Sequence, residues 1–193
     1  ARVTIENADR FSLRSSMLES DVPFQLNAGQ VVFARNIPEP DRDRLGVFRS
    51  CMESALRTLA MPLDDPVQIS VDTSAFFLPD GHRKLGVGSS AALTVSLTAA
   101  LYAFTGTADV RVPDRKRLLA ESMGAHRMAQ SNTGSGVDIA ASVYGGVFRY
   151  QLSESDPSAP AKMSPTHLTP DLATVAIWTG RSASTPEMVA RVN

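Results

Sequence analysis

The sequence predicts an α+β domain, a mixed α/β sheet with helices, on three observations. Short alternating segments fill its first third, strand and helix patterns alternate thereafter, and the early meander argues against a purely parallel sheet. VTIENADRFSLRS and QVVFARNI alternate apolar and polar residues and are read as strands, separated by a polar loop at Glu19, Ser20 and Asp21. Pro38 and Pro40 end this part. Over 43–60, Leu45, Phe48, Met52, Ala55, Leu56 and Leu59 recur at helical spacing. VQISVDTSAF then sets Val67, Ile69 and Val71 on one face, the mark of a half-buried strand. The turn signal Pro79-Asp80-Gly81 leads into KLGVGSSAA, residues 84–92, and the apolar helix behind it. The next helix runs from Pro113, acceptable in a first turn, to about Gln130. The loop SNTGSG precedes the short helix IAASVY. VFRYQL and TVAIWTG are read as strands on either side of a proline-rich connection, and RSAST leads to a helix start at PEMVARV.

Bulk properties narrow the partners. Nineteen basic and twenty acidic residues leave a formal charge of -1, so charge balance offers no argument for nucleic acid or an anionic membrane. The apolar run 91–104 is interrupted by Thr94, Ser96 and Thr98 and is too short to span a bilayer. Charges interrupt ARVTIENADRF where a secretory signal would stand, and the expected location is the cytoplasm. Cys51 is the only cysteine; it lies in a helical pattern, reads as a buried side chain, and excludes intrachain disulfides and multi-thiolate zinc. The first residue is not Met and the last, Asn193, falls within an expected helix, so a fragment of a longer protein is expected. A homodimer stays open.

KLGVGSSAA carries the chemistry. Gly86 and Gly88 can adopt positive φ and let a ligand approach the backbone. The amides at the following helix start have no partner within the helix, and its dipole adds partial positive charge, a combination suited to phosphate. Ser89 and Ser90 add hydroxyls able to donate to phosphate oxygens or to ligate magnesium, and Lys84 adds a full charge. A Walker A loop, G-x-x-x-x-G-K-S/T, is excluded because no lysine follows the glycines. The dinucleotide fingerprint is disfavoured, with Ala91 at its third glycine position. The simpler alternative is a structural loop in which Ser89 or Ser90 caps the helix.

GVGSSAALTVSLTAAL closely resembles the phosphate-loop motif of the GHMP kinases. SNTGSGVDIAASVYGG is similar to that family's S-G-x-D segment with its small-residue helix and Gly-Gly turn. WTGRSASTPEMVARV, the lysine before the loop and AHRMAQ resemble the phosphomevalonate kinase subgroup. The resemblance covers 67–192, and residues 1–66 match only in general layout.

The resemblance implies a ribosomal protein S5 domain 2-like fold, with an ATP-binding domain over 1–155 and a connection plus the start of a second domain over 156–193. It implies transfer of the γ-phosphoryl group of ATP, with Mg2+, to a hydroxyl or phosphate of a small-molecule acceptor, and a place in isoprenoid biosynthesis. Gly86, Val87, Gly88, Ser89, Ser90 and Ala91 would cradle the nucleotide phosphates, with Ser89 or Ser90 near the metal. Asp138 and Lys84 would be catalytic, and Ser135, Gly136, Ser182, Ser184 and Thr185 would meet the acceptor. Rival readings are a cap of IAASVY for Asp138, a solvated side chain for Lys84 and a structural role for His126. Where mevalonate kinases carry a magnesium-binding glutamate this chain has Arg127 or its neighbours, and Glu121 is the nearest upstream carboxylate. The proline usual ahead of the loop is absent, as are the family's P-G-K and C-terminal glycine-rich segments. A non-catalytic nucleotide-binding homologue, a mevalonate kinase and a mevalonate diphosphate decarboxylase are the alternatives.

Overall fold

The computed structural model describes residues 1–34, 37, 39–59, 63–80, 83–106, 114–129, 134–152, 161–169 and 171–180. Strands β1 (Arg2–Asn7), β2 (Ser12–Ser15), β3 (Val22–Asn27), β4 (Gln30–Phe33) and β5 (Val67–Asp72) form one sheet in the order β1-β5-β2-β3-β4. All neighbours are antiparallel except β2 and β5, which run parallel. That parallel pair needs a crossover, and helix α1 (Glu39–Leu59) supplies it. The sheet is therefore mixed, as the sequence predicts.

Three expectations change. β3 is a strand despite Pro23, which sits at its second position. Helix α1 begins at Glu39, ahead of the expected residue 43, because Pro40 falls in the first turn, where a missing N–H costs nothing. TVAIWTG forms no strand: no described strand pairs with it, and Val175 and Ile177 are 81% and 82% exposed. Instead β6 (Phe148–Gln151) pairs antiparallel with β7 (Lys162–Pro165), a strand inside the expected connection.

The core lies between the sheet and the helices. Phe48, Cys51, Met52 and Ala55 of α1 pack against Val67, Ile69 and Val71 of β5, as their spacings predict. Phe48 meets the Phe24 ring edge-on at 5.7 Å between centroids, which carries the core to the β3–β4 hairpin. Helix α2 (Ser89–Thr105) packs against α1, α3 (Arg115–Ala129), α4 (Val137–Tyr144) and β1. Its buried residues, among them Ala91, Thr94, Val95, Leu97 and Leu101, occur all around its axis, the pattern of an interior helix. No helix among the described residues is long and apolar enough to cross a membrane.

The β3–β4 turn holds a local strain. Asn27 pairs with Gln30, leaving Ala28 and Gly29 as a two-residue loop with φ of 50° and 78°. Positive φ at both central positions suits the primed hairpin turn, but a Cβ at Ala28 makes that conformation unfavourable. Replacing exposed Ala28 with Asn, which tolerates this region, is expected to stabilise the domain by about 1 kcal/mol, read from the denaturant midpoint at constant m.

Candidate active site

The loop before α2 is held by a short arm. Phe77 and Lys84 form an antiparallel bridge, Leu85 N donates to Phe76 O at 2.9 Å, and Leu78 N donates to Arg83 O at 2.8 Å. Arg83 is fixed by Asp80, to which its Nε donates at 2.7 Å, and its guanidinium lies over the Trp178 ring at 5.4 Å. The arm delivers Lys84, exposed, to the rim of a cleft of about 280 Å3 that Thr73, Phe77, Ser89 and Ser90 also line. A larger hollow of about 520 Å3 opens by Phe11, Phe24 and Val32; it has Arg10 but no carboxylate or hydroxyl in its lining, whereas the smaller cleft carries Lys84 and the Ser89 and Ser90 hydroxyls.

Gly86 and Gly88 have φ of 78° and 81°, as the loop reading requires. Gly88 is itself the N-cap of α2, and no side chain caps this helix. The alternative in which Ser89 or Ser90 caps α2 is therefore wrong. Ala92 N donates to Gly88 O at 3.0 Å as the first bond of the helix, so the amides of Ser89, Ser90 and Ala91 precede the intrahelical ladder. Ser89 is buried, Val87 is 65% exposed, and Ala91 is wholly buried against α2's neighbours.

The first turn of α2 is tied to the core. Cys51 Sγ donates to Thr94 Oγ1 at 3.3 Å, and Thr94 Oγ1 donates to Ser90 O at 2.9 Å. Burial pushes the Cys51 thiol up to about 11, opposed by its bond to Thr94, so it is an inert structural group as the sequence suggested.

Helix α4 starts the same way. Its N-cap is Gly136, with φ of 77°, and not Asp138, which sits in the first turn with Oδ1 accepting from Ile139 N at 2.9 Å. The positive φ favours glycine at 136, and a Cβ there would also have to displace the flexible end of the Met123 side chain. Ser135 is half-buried; its carbonyl accepts from Tyr150 Oη at 2.6 Å, and its Oγ accepts from Val137 N at 3.4 Å. The two helix starts converge: a side-chain carbon added at Gly88 would lie 4.0 Å from Asp138 Cβ. Asp138 does not line the cleft beside Lys84; it meets the glycine loop through Gly88 and His126.

His126, in the last turn of α3, is 4% exposed and sits between these groups. Its Nε2 is 3.4 Å from Ser90 Oγ and 3.8 Å from Asp138 Oδ2. Burial holds its pKa below the ordinary 6.5, and the Asp138 carboxylate opposes that shift. Tyr150 joins the site unforeseen, since strand alternation alone places it. Its pKa is raised, first by burial, with Arg127 opposing and Asp138 adding to the effect. Glu121 stands elsewhere. Its Oε1 accepts from Arg117 Nε at 3.0 Å, and burial, joined by the Glu121 carboxylate, pushes the Tyr102 hydroxyl up to about 12. Ser182, Ser184 and Thr185 lie outside the described residues.

The depressed His126 pKa makes stability pH-dependent. The unfolded chain takes up this proton at about 6.5, before the folded one does, so the neutral form's contribution is complete above 6.5 and is lost as pH falls below it. Thermal melts should show Tm decreasing as pH drops from 7 to 5, with a smaller slope in His126→Leu. Asp21 and Asp72, whose pKa values are lowered from 3.8 by hydrogen bonds from Arg14 and Ser74, act only at lower pH.

Comparison with known proteins agrees with this geometry. Residues 48–146 match the family described as GHMP kinases N terminal domain. The phosphomevalonate kinase erg8 of Aspergillus fumigatus is 39% identical over 79 residues, 40% of this chain and 16% of that protein. Among solved structures, the Lin0012 protein from Listeria innocua superposes with a TM-score of 0.68 at 22% identity, over 98% of this chain and 54% of its own. Streptococcus pneumoniae phosphomevalonate kinase, in complex with phosphomevalonate and AMPPNP, also gives 0.68, at 17% identity over 98% and 56%. Methanococcus jannaschii mevalonate kinase gives 0.56 at 18% identity over 76% and 42%. The structural likenesses show the fold, and the chain spans about half the length of the first two solved structures. With the family match extending across α2, the S-G-x-D segment and the Gly-Gly turn, the chain belongs to the GHMP kinases.

Proposed function

We propose that this chain supplies the nucleotide-binding half of an ATP-dependent small-molecule kinase, with a phosphomevalonate-like acceptor. The observation that carries this reading is the convergence of two helix starts, each opened by a left-handed glycine, that sets Asp138 beside the loop ahead of α2, where a carbon added at Gly88 would lie 4.0 Å from Asp138 Cβ. Phosphoryl transfer needs charge neutralised on the moving group and an acceptor held in line, with little covalent work for the protein. The amides of Ser89, Ser90 and Ala91 would bind phosphate oxygens, and Lys84 at the cleft rim would add its positive charge. Likeness to erg8 and to the pneumococcal enzyme supports the phosphomevalonate-like acceptor.

The donor set fits magnesium. Among the described residues no group of three His, Cys, Asp or Glu forms a metal cage. Magnesium needs none, since it keeps several waters and is commonly held by one or two carboxylates, or in some nucleotide loops by a Ser or Thr hydroxyl, together with substrate phosphates. The Ser89 and Ser90 hydroxyls would hold it against the nucleotide, where it would neutralise charge on the transferring phosphoryl group. Asp138 then has one of two tasks. With a hydroxyl acceptor it takes the departing proton; with a phosphate acceptor, ionised already, it orients charge about the reaction centre.

The protein containing this chain is expected to release ADP from Mg-ATP with a phosphorylated product when given phosphomevalonate, in a panel with mevalonate, homoserine and sugars. No ADP above background across the panel, with ATP binding retained, would turn the reading towards a non-catalytic nucleotide-binding homologue. Carbon dioxide among the products would point to a decarboxylase. Asp138→Asn should lower kcat at least about tenfold, approaching roughly 10²-fold or more if the residue is a general base. Nucleotide affinity by calorimetry should stay nearly unchanged, and an unaltered kcat removes the role given to Asp138.

A further inference from the structure

His126 is a buried polar group at the meeting point of α2, α3 and α4 that this transfer scheme leaves unused. It belongs to α3, yet its Nε2 faces both other helices of the site, 3.4 Å from Ser90 Oγ on α2 and 3.8 Å from Asp138 Oδ2 on α4. An ionised carboxylate can only accept hydrogen bonds, so the ring nitrogen facing it must carry hydrogen to interact favourably. The ring is 4% exposed and Asp138's side chain 39%, so the histidine is the fixed member and the carboxylate the movable one. The separation from Asp138 exceeds that of a formed hydrogen bond. Catalytic contacts are commonly loose before substrate binds and tighten afterwards. The backbone beneath Ser90 is already pinned through Thr94 to Cys51, so the array has an anchored base.

We propose that His126 is a positioning residue whose Nε2–H spans the Ser90 hydroxyl and the Asp138 carboxylate, setting the phosphate-binding and acceptor-orienting groups in one geometry. This rests on Asp138 serving phosphoryl transfer. A purely space-filling histidine would be replaced by leucine at a cost in stability alone. A positioning histidine requires the donor, and glutamine reaches the same point, because its Nε2 stands the same number of bonds from Cα.

The test compares wild type, His126→Leu and His126→Gln in the full chain, and includes the 15N imidazole spectrum of wild type and Asp138→Asn. His126 is one of three histidines in these 193 residues, and its signal is assigned by its loss in the glutamine variant. Expected are a kcat reduced roughly 10- to 100-fold in His126→Leu, the size that misplacing a reacting group by an ångström produces. The KM for ATP should stay within about threefold, much of kcat should return in His126→Gln, and the His126 Nε2 resonance should move on Asp138→Asn. The proposal is overturned if the folded leucine variant keeps wild-type kcat, if glutamine does no better than leucine, or if the resonance stays in place. If wild type itself turns over no acceptor, the kinase reading fails, and the resonance alone then decides whether His126 holds Asp138.

Discussion

Everything at the site depends on the confinement of α2. This helix is covered by α1, α3, α4 and β1, and its interior residues leave it no direction in which to tilt. Interiors packed as densely as organic crystals transmit such constraint over their whole length. The position of the loop at its N-terminus is thus fixed by side chains as distant as Leu97 and Leu101, both wholly buried. The Cys51–Thr94–Ser90 hydrogen bonds add a polar fastening in the first turn, where apolar packing thins out. The geometry of the glycine loop is here a property of the core.

The same confinement explains how three chain segments far apart in sequence meet. Helices α3 and α4 both pack on α2, so the end of one and the start of the other are brought to its N-terminus. Glycine at both caps supplies the left-handed backbone, and at Gly136 the end of the Met123 side chain fills the space where a Cβ would stand. Tyr150 then holds the approach to α4 from the strand side through the Ser135 carbonyl.

Much of this was legible in the sequence because it is local. The period of α1, the alternation of β5 and the glycine spacing of the loop each depend on neighbours a few positions away. Reading failed where an element depends on a remote partner. Val22, Phe24 and Leu26 alternate, but Pro23 masks a strand that is secured by pairing on both sides. TVAIWTG alternates equally well and has no partner among the described strands, since alternation marks a face and cannot supply a neighbouring strand. His126 was recognisable as helical and apolar-flanked. That it touches Ser90, 36 residues earlier, and Asp138, 12 later, follows only from how the three helices pack.

The left-handed glycine at the head of α2 has a thermodynamic corollary. Most helices satisfy their first amides with a serine, threonine or aspartate side chain, worth typically about 1 kcal/mol. α2 has no such cap, so its leading amides are left to solvent or to an anion. An anion bound there would act as the missing capping group and would add its binding free energy to the stability of the fold. By mass action, at roughly a hundredfold excess over Kd the gain is about 2.7 kcal/mol.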